Sequence, residues 1–351
     1  MRTNLFLPYT QYHMLLNYAI AAQNETDRNI MVLGSNSDSM HKCNEILSRL
    51  FPNINFCTHT LIPTDKVNNL QMIPIKKRNM CTIKDILYAS SQISRLYYSC
   101  ERQLYTSYLI HLLKDNGTEF HFVEDGIITY TEKEWIAKKN FFEKLGDRII
   151  YGAWHDSGDI QGQLAGGTNG EFAEALEPGY LPDNFTAMKK NKIDSKAFLK
   201  KLKPENIPNE FKKITDKNIN LFIALDSNTY CNDEYISLMR TYIAKAVSEG
   251  WTVAVKKHPD DVNNKELFDK LNVEGKVIDL PAYLPIEIYY LLFNKTLKYV
   301  IGSLSTAMIT VKWLLPEVEA VSVCNKAMLA TRNIDAVFEL FNKFGIKIEK
   351  A

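Results

Sequence analysis

The feature that most limits how this chain can fold is an alternation, played out twice, of short apolar runs with longer segments of helical spacing. Runs at 5–7, 30–33, 54–57 and 120–123 read as strands of a first half, and runs at 221–225, 252–255, 276–278, 299–301 and 320–323 as strands of a second. Between them, segments 13–22, 104–113, 236–246, 286–292, 306–315 and 334–344 place apolar residues three and four apart, as amphipathic helices do. Strand and helix in repetition is the pattern of a parallel sheet covered on both faces. The expectation is an α/β chain of two Rossmann-like domains facing a central cleft. With 351 residues the chain is too long for one ordinary domain. The boundary is expected in the basic, proline-punctuated stretch 189–217, which has the composition of an exposed connection, giving domains 1–205 and 206–351. Glycines at 158, 162, 166, 167, 170 and 179 make 156–182 read as a mobile loop.

Charge narrows the partners. Lys plus Arg at 42 nearly cancel Asp plus Glu at 41, and the net +1 gives no global attraction for nucleic acid, so a charged ligand has to be met locally. The six cysteines, at 43, 57, 81, 100, 231 and 324, never stand at Cys-x-x-Cys spacing and read as reduced, mostly buried thiols. Histidines 41, 59, 111, 121 and 155 have no mutual ligand spacing and read as structural or solvated. No signal-type apolar run opens the sequence, and no stretch reaches the roughly eighteen apolar residues of a membrane span. Cytoplasmic residence is expected, compatible with peripheral contact with the inner membrane.

In doubly wound sheets, ligands gather at the carboxyl ends of strands, so polar residues that directly follow strand runs are the informative ones. Thr10-Gln11-Tyr12-His13 follows the first run, Glu124-Asp125-Gly126 the fourth, and Asp226-Ser227-Asn228 the fifth. Lys257-His258-Pro259 and Gly302-Ser303-Leu304-Ser305-Thr306 follow two more. Taken singly, each has an ordinary explanation. An acidic pair before Gly is a common turn, although a carboxylate at a strand end can also take a proton from an attacking hydroxyl. A His before Pro is a common strand stop, although with lysine beside it the imidazole can meet phosphate charge. One hydroxyl at the start of 306–315 is an N-cap, whereas Ser303, Ser305 and Thr306 together suit a helix N-terminus that binds phosphate.

Taken together, the motifs resemble those of bacterial sialyltransferases of the GT-B class, including lipooligosaccharide sialyltransferases and capsular polysialyltransferases. These share, in order, an acidic-acidic-Gly motif, a His-Pro motif and a Ser-Ser/Thr motif, matched here by Glu124-Asp125-Gly126, His258-Pro259 and Ser305-Thr306. Leu284-Pro285-Ile286-Glu287-Ile288 is similar to the Pro-hydrophobic-Glu element of the same family, and the stretch from Thr10 to Asn17 to the strand-to-helix junction of its polysialyltransferase-like group.

The resemblance implies an inverting, metal-independent transfer of sialic acid from CMP-sialic acid to a glycan hydroxyl, with an acceptor-side first domain and a donor-binding second. Glu124 is then the general base, with Asp125 as the second candidate. His258 meets the CMP phosphate and serves the leaving group, and Glu287 holds the ribose. Asp226, Ser227, Lys257, Pro259, Ser303, Ser305 and Thr306 complete the donor side, and Thr10, Gln11, His13 and Gly126 face the acceptor. No cofactor and no metal are implied, and the sequence has no Asp-x-Asp and no Walker-type loop. Transfer of another CMP-ulosonate (Kdo, legionaminic or pseudaminic acid), a GT-B-like nucleotide-sugar epimerase and a noncatalytic Rossmann-like binding module are the competing readings.

Overall fold

The computed structural model describes the chain apart from residues 35–36, 64–68, 91, 102, 132–140, 153–168, 226–232, 259–264, 330–333 and 351. The chain divides into two compact units, Met1–Lys201 and Leu202–Ala351.

The first unit holds strands β1 (Thr3–Leu7), β2 (Arg28–Leu33), β3 (Phe56–Thr60), β4 (Arg95–Tyr98), β5 (Glu119–Val123), β6 (Phe172–Ala175) and β7 (Lys189–Lys192) in one sheet of order β3-β2-β1-β4-β5-β6-β7. The second holds β8 (Ile219–Ala224), β9 (Thr252–Lys256), β10 (Val277–Leu280), β11 (Tyr299–Gly302), β12 (Glu319–Cys324) and β13 (Lys347–Lys350) in the order β10-β9-β8-β11-β12-β13. Every pairing is parallel. Each unit therefore contains the 3-2-1-4-5 winding of a Rossmann fold, whose strand order reverses between β1 and β4 and again between β8 and β11. The runs Leu5–Leu7 and Ile30–Leu33 are buried on both faces, as central parallel strands must be.

Several expectations change here. The helix Gln11–Gln23 is buried without interruption from His13 to Ala22 rather than along one stripe. The helices Ser37–Leu50 and Ser195–Leu199 pack against it. Segment 189–217 is not a plain connection. It contains β7, which seals one edge of the first sheet with lysine side chains of the kind that discourage further pairing. It then returns over the core, where Phe198 stacks on Phe51 at 4.2 Å between ring centres. Within 156–182, residues 172–175 form β6, while 156–168 lie outside the described residues. Cys57 and Cys81 are exposed. Among the described residues, no helix is long and apolar enough to cross a membrane.

Candidate active site

In the first unit β5 delivers Glu124 to the carboxyl edge of the sheet, where its backbone N–H donates to Glu174 O at 3.1 Å. The side chain is completely buried, at 0 % exposure. Tyr12 Oη donates to Oε1 at 2.6 Å, and Oε2 accepts from Leu176 N at 2.8 Å and from the Tyr130 hydroxyl. Burial raises the carboxyl to about 7, against the opposing pull of those hydrogen bonds. Gly126 then turns the chain with φ +71°, a left-handed value that costs glycine nothing, into the short helix Ile127–Thr131, which carries Tyr130. Ile127 is buried in that helix, and Ile128 is about half exposed.

Asp125 has a different environment. Its side chain is 31 % exposed, and Oδ1 lies 3.0 Å from His13 Nε2, close but not aligned as a hydrogen bond. Thr10 and His13 form a capping box: Thr10 Oγ1 accepts from His13 N at 3.2 Å, and His13 Nδ1 accepts from Thr10 N at 3.2 Å. Gln11 Nε2 donates to Ser39 O at 3.1 Å. Thr10, His13 and Gln11 thus shape the strand-to-helix turn, and Tyr12, the one residue of the quartet not singled out as a candidate, is the one that touches Glu124. Only its place in the run after β1 pointed to it.

In the second unit β9 ends at Lys256, and Lys257 and His258 follow. Lys257 Nζ lies 3.0 Å from Asp279 Oδ2, an ion pair that ties the end of β9 to β10. His258 stays partly exposed. Lys256, with Lys257 one of the two lysines that the sequence offers beside His258, is buried and donates to Lys257 O at 2.9 Å and Ala282 O at 3.0 Å. One ammonium thus fixes the backbone just before His258 and just before the Leu284–Ile288 element. Burial lowers Lys256 to about 8, while Glu287 and Asp279 pull the other way. Glu287 sits buried in the helix Ile286–Leu292, with Oε1 accepting from Thr310 Oγ1 at 3.0 Å, and burial raises its carboxyl.

At the end of β11, a Cβ on Gly302 would come within 2.7 Å of Met308 Sδ and 3.2 Å of Ala224 O, so a larger residue there would have to displace the methionine and crowd the end of β8. Ser303 is fully buried, and its carbonyl accepts from Ser322 Oγ at 3.0 Å. Ser305 is the N-cap of the helix Thr306–Leu314, accepting from Ala307 N at 3.3 Å, and Thr306 is that helix's first residue. The turn from Ser303 to Thr306 therefore stands at the strand-order reversal, where doubly wound sheets bind ligands. Asp226, Ser227 and Pro259 lie outside the described residues. Among the described residues, no group of three or more His, Cys, Asp or Glu side chains is arranged to hold a metal.

Solved structures share this architecture. The UDP-GlcNAc 2-epimerase of Neisseria meningitidis bound to UDP-GlcNAc superposes with a TM-score of 0.56 at 10% identity, over 99% of this chain and 87% of its own. A UDP-glucosyltransferase from Polygonum tinctorium gives 0.53 at 10% identity, over 99% and 85%. The UDP-GlcNAc 2-epimerase of Methanocaldococcus jannaschii gives 0.52 at 11% identity, over 92% and 83%. At such identities the likeness establishes the fold, that of GT-B glycosyltransferases and epimerases. No curated protein sequence is a significant match. The family model for alpha-2,8-polysialyltransferase matches residues 4–324, spanning both units and every described motif, and the chain belongs to that family of sialyltransferases.

Proposed function

We propose that this glycosyltransferase moves sialic acid from CMP-sialic acid to a glycan hydroxyl of lipooligosaccharide or capsule type, in one inverting displacement that needs no metal. The observation that carries the reading is the division of chemistry between the units. One holds a buried carboxylate raised to about 7, in the range where a general base both accepts and returns a proton at neutral pH. The other places His258 and the Ser305-capped helix N-terminus at strand ends, suited to a phosphate.

In this reading Glu124 takes the acceptor's proton as its oxygen attacks the anomeric carbon. The bond to the CMP phosphate oxygen breaks, and its electron pair leaves with CMP. His258, Ser305, Thr306 and the positive end of the helix dipole meet the charge that develops there. Glu287 holds the ribose, with Lys256 and Thr310 keeping it in place.

The test is CMP release from CMP-Neu5Ac with galactose-terminated and sialylated acceptors, with and without EDTA. Release that depends on acceptor and survives EDTA is the expected result. Consumption only of another CMP-ulosonate would change the donor, and loss on chelation with rescue by a divalent ion would remove the metal-free mechanism. Interconversion of a UDP-sugar without acceptor would favour the epimerase reading suggested by the fold.

A further inference from the structure

Glu124 has no exposed surface, yet a base must exchange a proton with a substrate outside. Its described contacts leave one way through. Leu176 contributes a backbone N–H. Tyr130 is itself buried, and its hydroxyl also accepts from Glu177 N at 3.2 Å. Tyr12 alone is partly exposed while holding a direct 2.6 Å hydrogen bond to Oε1.

We propose that Tyr12 is the proton relay of the reaction, passing the acceptor's proton to Glu124 through its hydroxyl. The proposal rests on Glu124 being the base. As the acceptor oxygen bonds to the anomeric carbon, its proton moves to the Tyr12 oxygen while the Tyr12 proton moves to Glu124 Oε1. Tyr12 begins and ends as a neutral phenol, Glu124 ends protonated, and the electron pair of the breaking bond leaves with CMP. The proton returns outward by the same path once products have left.

The arrangement is suited to this. A phenol passes a proton on only if the group behind it binds one, and a carboxylate held in a dry site binds one near neutrality. The residue is also well placed, since Tyr12 lies in the first turn of a helix whose start is fixed by the Thr10–His13 box.

The test uses the full chain and CMP release from CMP-Neu5Ac. Tyr12→Phe keeps the ring and should lower kcat by about 10²-fold, the lower end of what general acid–base catalysis contributes. The donor KM should hold within about twofold. The acid limb of the kcat profile should move to higher pH, because charged Glu124 loses a donor. Wild-type rates in H₂O/D₂O mixtures should curve, as two protons in flight require. Near-normal kcat with an unmoved pH profile in Tyr12→Phe, beside an inactive Glu124→Gln, would overturn the relay and leave the base in place. Full activity in Glu124→Gln with loss in Asp125→Asn would overturn the base itself. If Tyr12→Phe does not fold, a straight-line isotope dependence in the wild type is enough to reject the proposal.

Discussion

At the carboxyl edge of the first sheet the polar centre is a carboxylate, Glu124, enclosed by two tyrosine hydroxyls and a backbone N–H. At the corresponding edge of the second it is an ammonium, Lys256, enclosed by two carbonyls, with Glu287 near enough to favour its charge. Both groups are desolvated and both move toward neutrality, the acid upward and the amine downward. They differ in what holds them. The partners of Glu124 include two tyrosine side chains, one of them 112 residues away in sequence and partly exposed, which suits a group that must change its protonation state. The partners of Lys256 are backbone oxygens, which suits a group that must stay put and position its neighbours.

The largest expected effect tests that positioning. Lys256→Met removes the ammonium from two buried carbonyls and leaves Glu287 without its counter-charge. This should cost about 2 to 6 kcal/mol in denaturant unfolding, about 1 to 3 for each buried carbonyl left without its donor. Lys256→Met with Glu287→Leu should be less destabilised than the sum of the two single changes, since the residues share one interaction. A single-variant loss under about 1 kcal/mol would mean that Lys256 does not hold the two motifs, and the contrast with Glu124 would lose its second half.

A smaller effect tests the first half through pH. Folded Glu124 titrates near 7, against an ordinary value of 4.5 for the unfolded chain. Between those values the folded state binds more protons, so this group's contribution to stability falls as pH rises from about 4.5 to about 7. A shift of that size corresponds to roughly 3 kcal/mol. Glu124→Gln should abolish the dependence, so its unfolding free energy relative to wild type should improve between pH 5 and pH 8 while transfer is lost. Parallel curves for the two proteins would show that Glu124 is not desolvated as described.

These contrasts also show what could be read from the sequence. Central strands such as β1, β2, β5, β8, β11 and β12 announce themselves because both faces are buried and their residues are apolar. The missed strands are short or charged: β4 and β6 have four residues each, Arg-Leu-Tyr-Tyr and Phe-Ala-Glu-Ala, and the edge strands β7 and β13 read Lys-Lys-Asn-Lys and Lys-Ile-Glu-Lys. An edge needs only one paired side, and charge there is tolerated or favoured. The same holds at the sites. Glu124 and Ser305 stand directly after strands and were legible. Tyr12 reaches an acid 112 residues away, and the place of Lys256 beside His258 gives no sign of its burial.

The smallest effects compare the two helix starts. Thr10 caps the helix after β1, and Ser305 caps the helix after β11. Each accepts from a backbone N–H at its helix start, and each should cost about 1 kcal/mol of stability when changed to alanine. The proposed roles separate them beyond that. The Thr10 cap is closed by His13, which returns a bond to it, so Thr10→Ala should leave CMP affinity unchanged. Ser305 has no such return bond from its third helical residue, Met308, and stands at the strand-order reversal of the donor unit. Ser305→Ala should therefore weaken CMP binding as well, and by only a few-fold, since the backbone N–H groups of the helix start remain to meet the phosphate. Calorimetric titration of CMP into both variants decides the matter. Equal affinities would make Ser305 a cap and nothing more, and would leave His258 and Glu287 to carry the donor site.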